Sequence, residues 1–316
     1  MLWKLNWFLR DSGYDNDLRI AWFRILKRSG RQTSGMQSRS QTNEMERLIV
    51  AYSYTQISQY LRCPRSYRLR YLDGWSEKDA RAALVFGRCF EKALGEYFAQ
   101  RDCTAALQKE WGVFRDAPFK YRKEESWDRV LHQGIRLLEQ FARDARVEVP
   151  CPTENLQVKI THALPGGRDF VAYVDAIGEL DGQRFLIDWK TTTTRYPVEP
   201  AGLLSLDPQL ICYSWISGIR DVALVVFVRK HNPEIQYLKA SISETQCQEF
   251  EGLLETTVGQ IESGQFSKHS GIRFPMNGCT TCSHLGLCLA NPEMVDAKLT
   301  RRPGASDLDW LDQLEE

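Results

Sequence analysis

The chain reads as an α/β protein in which a mixed sheet is flanked by helices, with a helical portion before it and a cluster of cysteines after it. Three observations carry that reading. Up to about residue 146 apolar residues recur at helical spacing. Between residues 156 and 190 the period shortens to alternation in three closely spaced segments. Beyond them helical and strand-like segments alternate, the order that places helices on the faces of a mixed sheet. The composition allows such a core: of 316 residues 43% are hydrophobic and 26% charged, which excludes a disordered, collagenous or coiled-coil chain.

Taken in order, Thr55 is expected to cap a short helix to Leu61, and Pro64 to sit in the first turn of a second helix that ends near Asp73-Gly74. A long helix is predicted over residues 78–100, because Phe86, Phe90, Leu94 and Phe98 repeat every fourth residue on one face. Two further helices are predicted over 104–114 and 127–146. Residues 156–162, 169–178 and 184–190 read as strands joined by turns at Gly166-Gly167 and Asp181-Gly182. Asp207-Pro208 opens a helix to about Ile216, residues 221–229 and 235–242 read as strands, and residues 244–263 as a helix. Residues 1–44, polar and without an apolar period towards their end, are expected to be a disordered upstream extension, with the globular chain starting at Met45. The domain proper then runs over 45–293, and a polar, acidic-ended tail over 294–316 is expected to be loosely held.

Charge and cysteine usage narrow the function. Lys+Arg and Asp+Glu both total 41, so any polyanion site is a local patch. The longest apolar run, Val222 to Val228, is far too short for a membrane span. Nine cysteines, an odd number, behind no secretory signal argue for a reducing compartment such as the cytoplasm and for reading clustered cysteines as metal ligands.

Two strands carry chemistry. Asp188 and Lys190 are two residues apart, so in a strand both project from one face while Ile187 and Trp189 project from the other. Asp175 lies in the preceding strand, which a tight turn folds back beside Asp188. Two adjacent carboxylates repel unless a cation lies between them, and hard divalent ions prefer such oxygens, so Mg2+ or Mn2+ is the natural occupant. Such a site suits phosphodiester hydrolysis. Downstream, Gln209 and Tyr213 are i and i+4 on one helical face. Upstream, Glu91 stands beside the apolar stripe of the long helix as a possible third carboxylate. Alone, an Asp-x-Lys pattern is far more often a strand-end ion pair than a metal site, and the alternative for Glu91 is an ordinary solvated helix residue.

The order Gly87 and Glu91, Asp175, Asp188-x-Lys190, Gln209-x-x-x-Tyr213 resembles the RecB-type branch of the PD-(D/E)XK nuclease superfamily, including CRISPR-associated RecB-like nucleases. The resemblance spans Ser53 to Cys288. It implies a restriction-endonuclease-like fold and Mg2+- or Mn2+-dependent hydrolysis of DNA, at ends or on single strands, in repair, recombination or CRISPR adaptation. A helicase or CRISPR-adaptation protein would be the partner. It further implies that Asp175, Asp188 and the main-chain carbonyl of Trp189 bind the metal, that Lys190 serves the attacking water, and that Gln209 and Tyr213 support the site and the DNA backbone. Many family members carry His where Glu91 stands, although Glu occurs there in related exonucleases.

Cys279, Cys282 and Cys288 form a C-x2-C-x5-C pattern, which brings paired thiolates to one metal and needs a fourth ligand. In the same nuclease branch Cys63, followed by Pro64, resembles the distant cysteine that completes a 4Fe-4S cluster. A zinc knuckle, with His284 as a further ligand, remains the alternative, since zinc and iron–sulfur groups share thiolate ligands. Around Cys63, Arg62, Arg65 and Arg68 interleave with Tyr67, a combination suited to phosphate contact and base stacking, or to a solvated helix face with its tyrosines packed inward. Two competing functions follow from the same residues: a DNA-binding module with an idle site, and a zinc-stabilised interaction protein.

Overall fold

The structure, a computed structural model, describes residues 51–301 apart from 80, 120, 122–124 and 269–277. The expectations for residues 1–44 and for the start at Met45 lie outside the described residues. A short strand β1 (Ala51–Ser53) leads directly into α1 (Tyr54–Arg62). Ser53, not Thr55, caps this helix, because the strand holds Ser53 extended and its side chain accepts the Gln56 N–H. Pro64 opens α2 (Pro64–Tyr67) as expected, and the chain widens into a π-helical turn over Arg68–Leu72 before Gly74, at φ 73°, reverses it.

Strand β2 (Trp75–Glu77) precedes the long helix, which starts later than the expected residue 78 and as α3 covers Ala82–Phe98. Helices α4 (Cys103–Gly112) and α5 (Trp127–Asp144) pack beside it. Then come β3 (Val147–Glu148), α6 (Pro152–Asn155), β4 (Leu156–Leu164), β5 (Arg168–Leu180) and β6 (Gln183–Thr192). Helix α7 (Pro208–Ser217), capped by Asp207, precedes β7 (Asp221–Val228), β8 (Glu234–Ser241) and α8 (Glu244–Glu262). The described chain closes with α9 (Leu285–Cys288), α10 (Pro292–Lys298) and β9 (Leu299–Arg301). Strand β9 pairs antiparallel with β2, so the loosely held tail expected after Glu293 does not hold for residues 294–301. Asn291 caps α10 and Leu299 is buried, two anchors that the polar composition concealed.

The seven-stranded sheet is mixed: β5 and β6 are antiparallel, β6 and β7 parallel, β7 and β8 antiparallel. Strand β7 lies between β6 and β8 with nearly every residue buried, which accounts for its unbroken apolar run. Helices α3, α4 and α5 cover one face over Ile187, Trp189, Ala223, Val225 and Phe227. Helices α1, α7 and α8 cover the other over Phe170, Val174, Leu186 and Val222.

One detail of register positions the chemistry. On one edge, β4 pairs with β5 along residues 168–176. On the other edge β6 pairs only with residues 176–180, and β1 takes up that edge at residues 169–171. Strand β5 therefore sits in a fork: β6 peels away just before Asp175, and β1 enters beyond it.

Candidate active site

The fork gives Asp175 its environment. Pairing of β5 and β6 ends at Ala176 opposite Ile187, and the next backbone donor, the Trp189 N–H, bonds Asp175 Oδ2 at 2.8 Å. A carboxylate thus stands where a ladder carbonyl would stand. Asp188 and Lys190 project from the face of β6 that meets α7, while Ile187 and Trp189 join the opposite core, as their alternation predicts. Lys190 Nζ lies 2.9 Å from Asp188 Oδ1 and 2.7 Å from Oδ2. Only the first contact has hydrogen-bond geometry, which leaves the buried Oδ2 without a donor among the described residues.

The ammonium also donates to Gln209 Oε1 at 3.2 Å, and Gln209 Nε2 donates to the Tyr213 hydroxyl at 2.7 Å. Spacing of i and i+4 on α7 makes that relay possible, and Asp207 fixes the start of the helix by accepting the N–H groups of Gln209 and Leu210. Asp188 is 1% exposed whereas the Lys190 side chain is 34% exposed, so the lysine is the member that meets solvent.

Glu91 comes from α3 and sets its carboxyl against Asp175. Gln157, on β4 between the registered pairs Leu156–Ala176 and Val158–Val174, donates to Glu91. Nothing in the residue pattern points to Gln157, whose backbone is left-handed, φ 51°, inside a strand. Tyr196 was also missed; it lies near enough for the charges of Lys190 and Asp188 to act on its hydroxyl.

Electrostatically the site is overloaded with acid. Burial, and then Glu91, push the Asp175 carboxyl up to about 7. Burial, and then Asp175, do the same to Asp188. Burial also raises Glu91. Burial works against the Lys190 ammonium, but Asp188 and Asp175 outweigh it and raise its pKa. Three carboxyl groups and one ammonium carry a surplus of negative charge when all are ionised, so the acids hold their protons to higher pH. Among the described residues no group of three His, Cys, Asp or Glu side chains is already arranged to hold a metal ion. At the fork this reflects where the oxygens are engaged: those of Asp188 face Lys190, and Asp175 Oδ2 faces the Trp189 N–H.

The profile of the PD-(D/E)XK nuclease superfamily matches residues 51–289. The chain belongs to the PD-(D/E)XK nuclease superfamily. Two solved structures are similar at low identity: an exonuclease candidate from Eubacterium rectale, and SSO0001. The first is 14% identical, covers 87% of this chain and 98% of its own, and has a TM-score of 0.45. The second is 17% identical, covers 86% and 97%, and has a TM-score of 0.36. Among curated proteins none matches the sequence. The mixed sheet with helices on both faces is the restriction-endonuclease-like architecture of such nucleases. None of the nuclease's helices, among the described residues, is long and apolar enough to cross a membrane.

The four cysteines of the pattern, Cys63, Cys279, Cys282 and Cys288, belong to the region at the C-terminal end of α1. Cys63 sits on extended backbone between α1 and α2, Cys279 and Cys282 share a turn, and Cys288 ends α9. Burial raises the Cys288 thiol; Lys268 opposes the rise, while Cys282 and Cys63 are close enough to add to it. His284 is buried, with Nδ1 3.1 Å from Ser66 Oγ and a further hydrogen bond to the main chain at Trp75. Its ring joins α2, β2 and the cysteine turn, which leaves it occupied as a strut rather than open to a metal.

The arginine stretch divides. Tyr67 is fully buried, packed against Tyr60, Tyr71 and a stacked Phe266, so the base-stacking role expected for it is corrected: no ring face is open. Arg65 is half-buried; its Nε has no hydrogen-bond partner among the described residues and its charge acts on Cys288. Arg62 donates to Gln59, and Arg68 pairs with Asp73 at 3.5 Å; both are exposed.

Proposed function

We propose that this nuclease is a metal-dependent deoxyribonuclease of the RecB-like branch, acting on ends or single strands of DNA in repair, recombination or CRISPR adaptation. The observation that carries the reading is the convergence of Glu91, Asp175 and Asp188 from three elements around the one lysine that Gln209 and Tyr213 hold in place. Asp188 Oδ2, buried and without a hydrogen bond although the Lys190 ammonium stands 2.7 Å away, and the surplus of acid fit a divalent cation. Glu91, Asp175, Asp188 and the main-chain carbonyl of Trp189 would hold it. Mg2+ or Mn2+ bound there supplies Lewis acidity at the phosphoryl group and a lower pKa for water.

The chain's own residues do the rest. Lys190, the partly exposed cation, orients the attacking water and faces the negative charge that builds on the phosphoryl oxygens. Gln209 accepts one of its protons and so fixes the direction of the others. Tyr213 stays a neutral hydroxyl, because burial raises its pKa. Arg62 and Arg68 supply exposed positive charge for the DNA backbone.

Cys63, Cys279, Cys282 and Cys288 are assigned as ligands of a 4Fe-4S cluster that ties α1 to the end of the domain spanning residues 45–293. The hydrogen bonds of the His284 ring to Ser66 and to the main chain at Trp75 disfavour a zinc knuckle that uses His284, while zinc on the four cysteines stays the competing reading. Visible absorption in the iron–sulfur range, lost in Cys288→Ser, is the expected signature; colourless protein that carries zinc overturns the assignment. The nuclease reading itself is tested by digesting labelled single- and double-stranded DNA with Mg2+ or Mn2+. Wild type is expected to cut and Lys190→Ala to lose at least about 100-fold in rate. Equal digestion by both rejects the catalytic assignment, and no digestion by wild type favours an idle DNA-binding module.

A further inference from the structure

Residues 193–207 join the strand of Lys190 to the helix of Gln209. Within them Leu203–Leu206 form a 3-10 turn, opened by Gly202 at φ 85°. In that geometry residues i and i+3 eclipse, so Leu203 and Leu206 lie on one side and Leu204 on another. Leu204 and Tyr196 pack on Leu224, Val226 and Val228 of β7. Leu224 is in register with Asp188, and Val226 with Lys190. Registered neighbours in a sheet point to the same face, so this segment lies on the sheet face of the catalytic pair, over β7 and, through Leu238, over β8.

The segment is held firmly. The Tyr196 N–H donates to Gln236 Oε1 at 2.8 Å, and Gln236 Nε2 returns a bond to the Tyr196 carbonyl at 3.0 Å. Gln246 Nε2 donates to the Ser205 carbonyl at 2.6 Å. Despite this anchoring, the outward side chains stay open: Leu203 is 37% exposed, Val198 55% and Leu206 66%. One exposed leucine needs no explanation, but two eclipsed leucines on a fixed turn beside a catalytic face form a built apolar edge.

We propose that Leu203 and Leu206 are a lip of the active site against which the bases flanking the scissile phosphodiester rest, so that the enzyme selects unpaired strand. The proposal rests on the nuclease reading above. A nucleic acid that places a phosphate at Lys190 must set its bases within a few ångströms of it, and the bases are its apolar part. In a single strand their faces are free to pack on aliphatic groups without sequence preference; in a duplex they are stacked inward. Two side chains offer far less than the roughly 800 Å2 per partner of a standard protein interface, so a second protein is the poorer occupant.

The test compares wild type with Leu203→Ser/Leu206→Ser on two single-stranded oligonucleotides, one with normal bases and one abasic on both sides of the cut. Wild type should prefer the base-bearing strand by about tenfold in kcat/KM, the order of one apolar contact. The double variant should lose that preference through KM, so that base-bearing and abasic strands are handled alike. Fluorescence anisotropy with the same two strands reads the lip even if neither is cut, which separates failure of the lip from failure of the nuclease reading. A wild type blind to base removal in both assays overturns the proposal, as does a variant that keeps the wild-type ratio, or a wild-type dimer in sedimentation that the variant dissociates.

Discussion

The hairpin of β5 and β6 carries an aspartate problem at each end, and the two ends solve it in opposite ways. At the fork Asp175 is buried among acids and its carboxyl is raised to about 7, by burial first and Glu91 second. At the turn, Asp181 and Gly182 take the two left-handed positions, φ 55° and 77°, that a tight hairpin requires. There the Asp181 carboxylate receives Arg146 through Nε and Nη2 at 2.8 and 2.7 Å and Lys239 at 2.7 Å. Arg146 first, then Lys239, hold it well below the usual carboxylate range. The same residue type on the same hairpin is thus a source of instability at one end and of stability at the other. The end with too little positive charge is the end that can recruit a cation and do chemistry.

The largest effect that would break this contrast is expected from Asp175→Asn. The amide keeps an oxygen for the Trp189 N–H but removes one of three acids. DNA hydrolysis should fall at least about 100-fold. In EDTA the same variant should melt higher than wild type by about 2–4 °C for each kcal/mol of relieved repulsion. The sign follows from linkage: an aspartate unfolds to a pKa of about 3.9, whereas the folded carboxyl titrates at about 7. Between these values the folded state holds a proton that the unfolded state has released, so wild-type stability falls as pH rises and the deficit is complete above the folded pKa. The gain of Asp175→Asn should therefore vanish below about pH 4 and be full above about pH 7. Mg2+ at about 100 times its Kd should add about 2.7 kcal/mol to wild type at pH 8 and much less to the variant. A variant that melts lower than wild type in EDTA at pH 8 would remove the surplus-charge account.

Between the two ends lies Gly178, crowded by the chain of β3 and the residue after it. A Cβ there would stand 2.6 Å from the Glu148 carbonyl oxygen and 3.2 Å from Val149 Cγ2. The first contact is backbone and cannot swing aside. Gly178→Ala should lower stability by about 1–3 kcal/mol, seen as a lower urea midpoint with an unchanged slope. Activity of the remaining folded enzyme should persist, because the fork lies on the other edge of β5.

How much of this was legible follows from what each feature depends on. Strand periodicity placed Asp188 and Lys190 on one face, and helix periodicity placed Gln209 beside Tyr213; both are local, and both hold. The relation of Asp175 to Asp188 needed only a tight turn, which Asp181-Gly182 announces. The fork was not legible, since β1 is three residues long and pairs with a strand more than a hundred residues away. Gln157 was hidden for a similar reason: a left-handed residue inside a strand has no sequence pattern. Tyr67 misled because an alternation of Arg and Tyr says nothing about which side is buried until Phe266 arrives from the far end of the chain to stack on it. His284 likewise looked like a ligand until Ser66 and Trp75 were seen to use its ring.

The smallest effect sharpens the comparison from the stable end. Asp181→Asn keeps a residue type that tolerates the left-handed turn but removes the charge shared by Arg146 and Lys239. The carboxylate is 37% exposed, so solvent screens the pairs and the loss should be no more than about 1 kcal/mol. Here the linkage runs the other way. The folded pKa lies below the unfolded one, so the contribution is whole above about pH 5 and is lost as pH falls through the acid range. Wild type and variant should thus converge in melting temperature at low pH, where Asp175→Asn has also lost its advantage, and separate in opposite directions near pH 8. Cleavage by Asp181→Asn should match wild type, since the turn lies at the far end of the hairpin from the fork. A tenfold loss of rate would mean that the two ends are mechanically coupled, and that the turn helps to hold the acids apart.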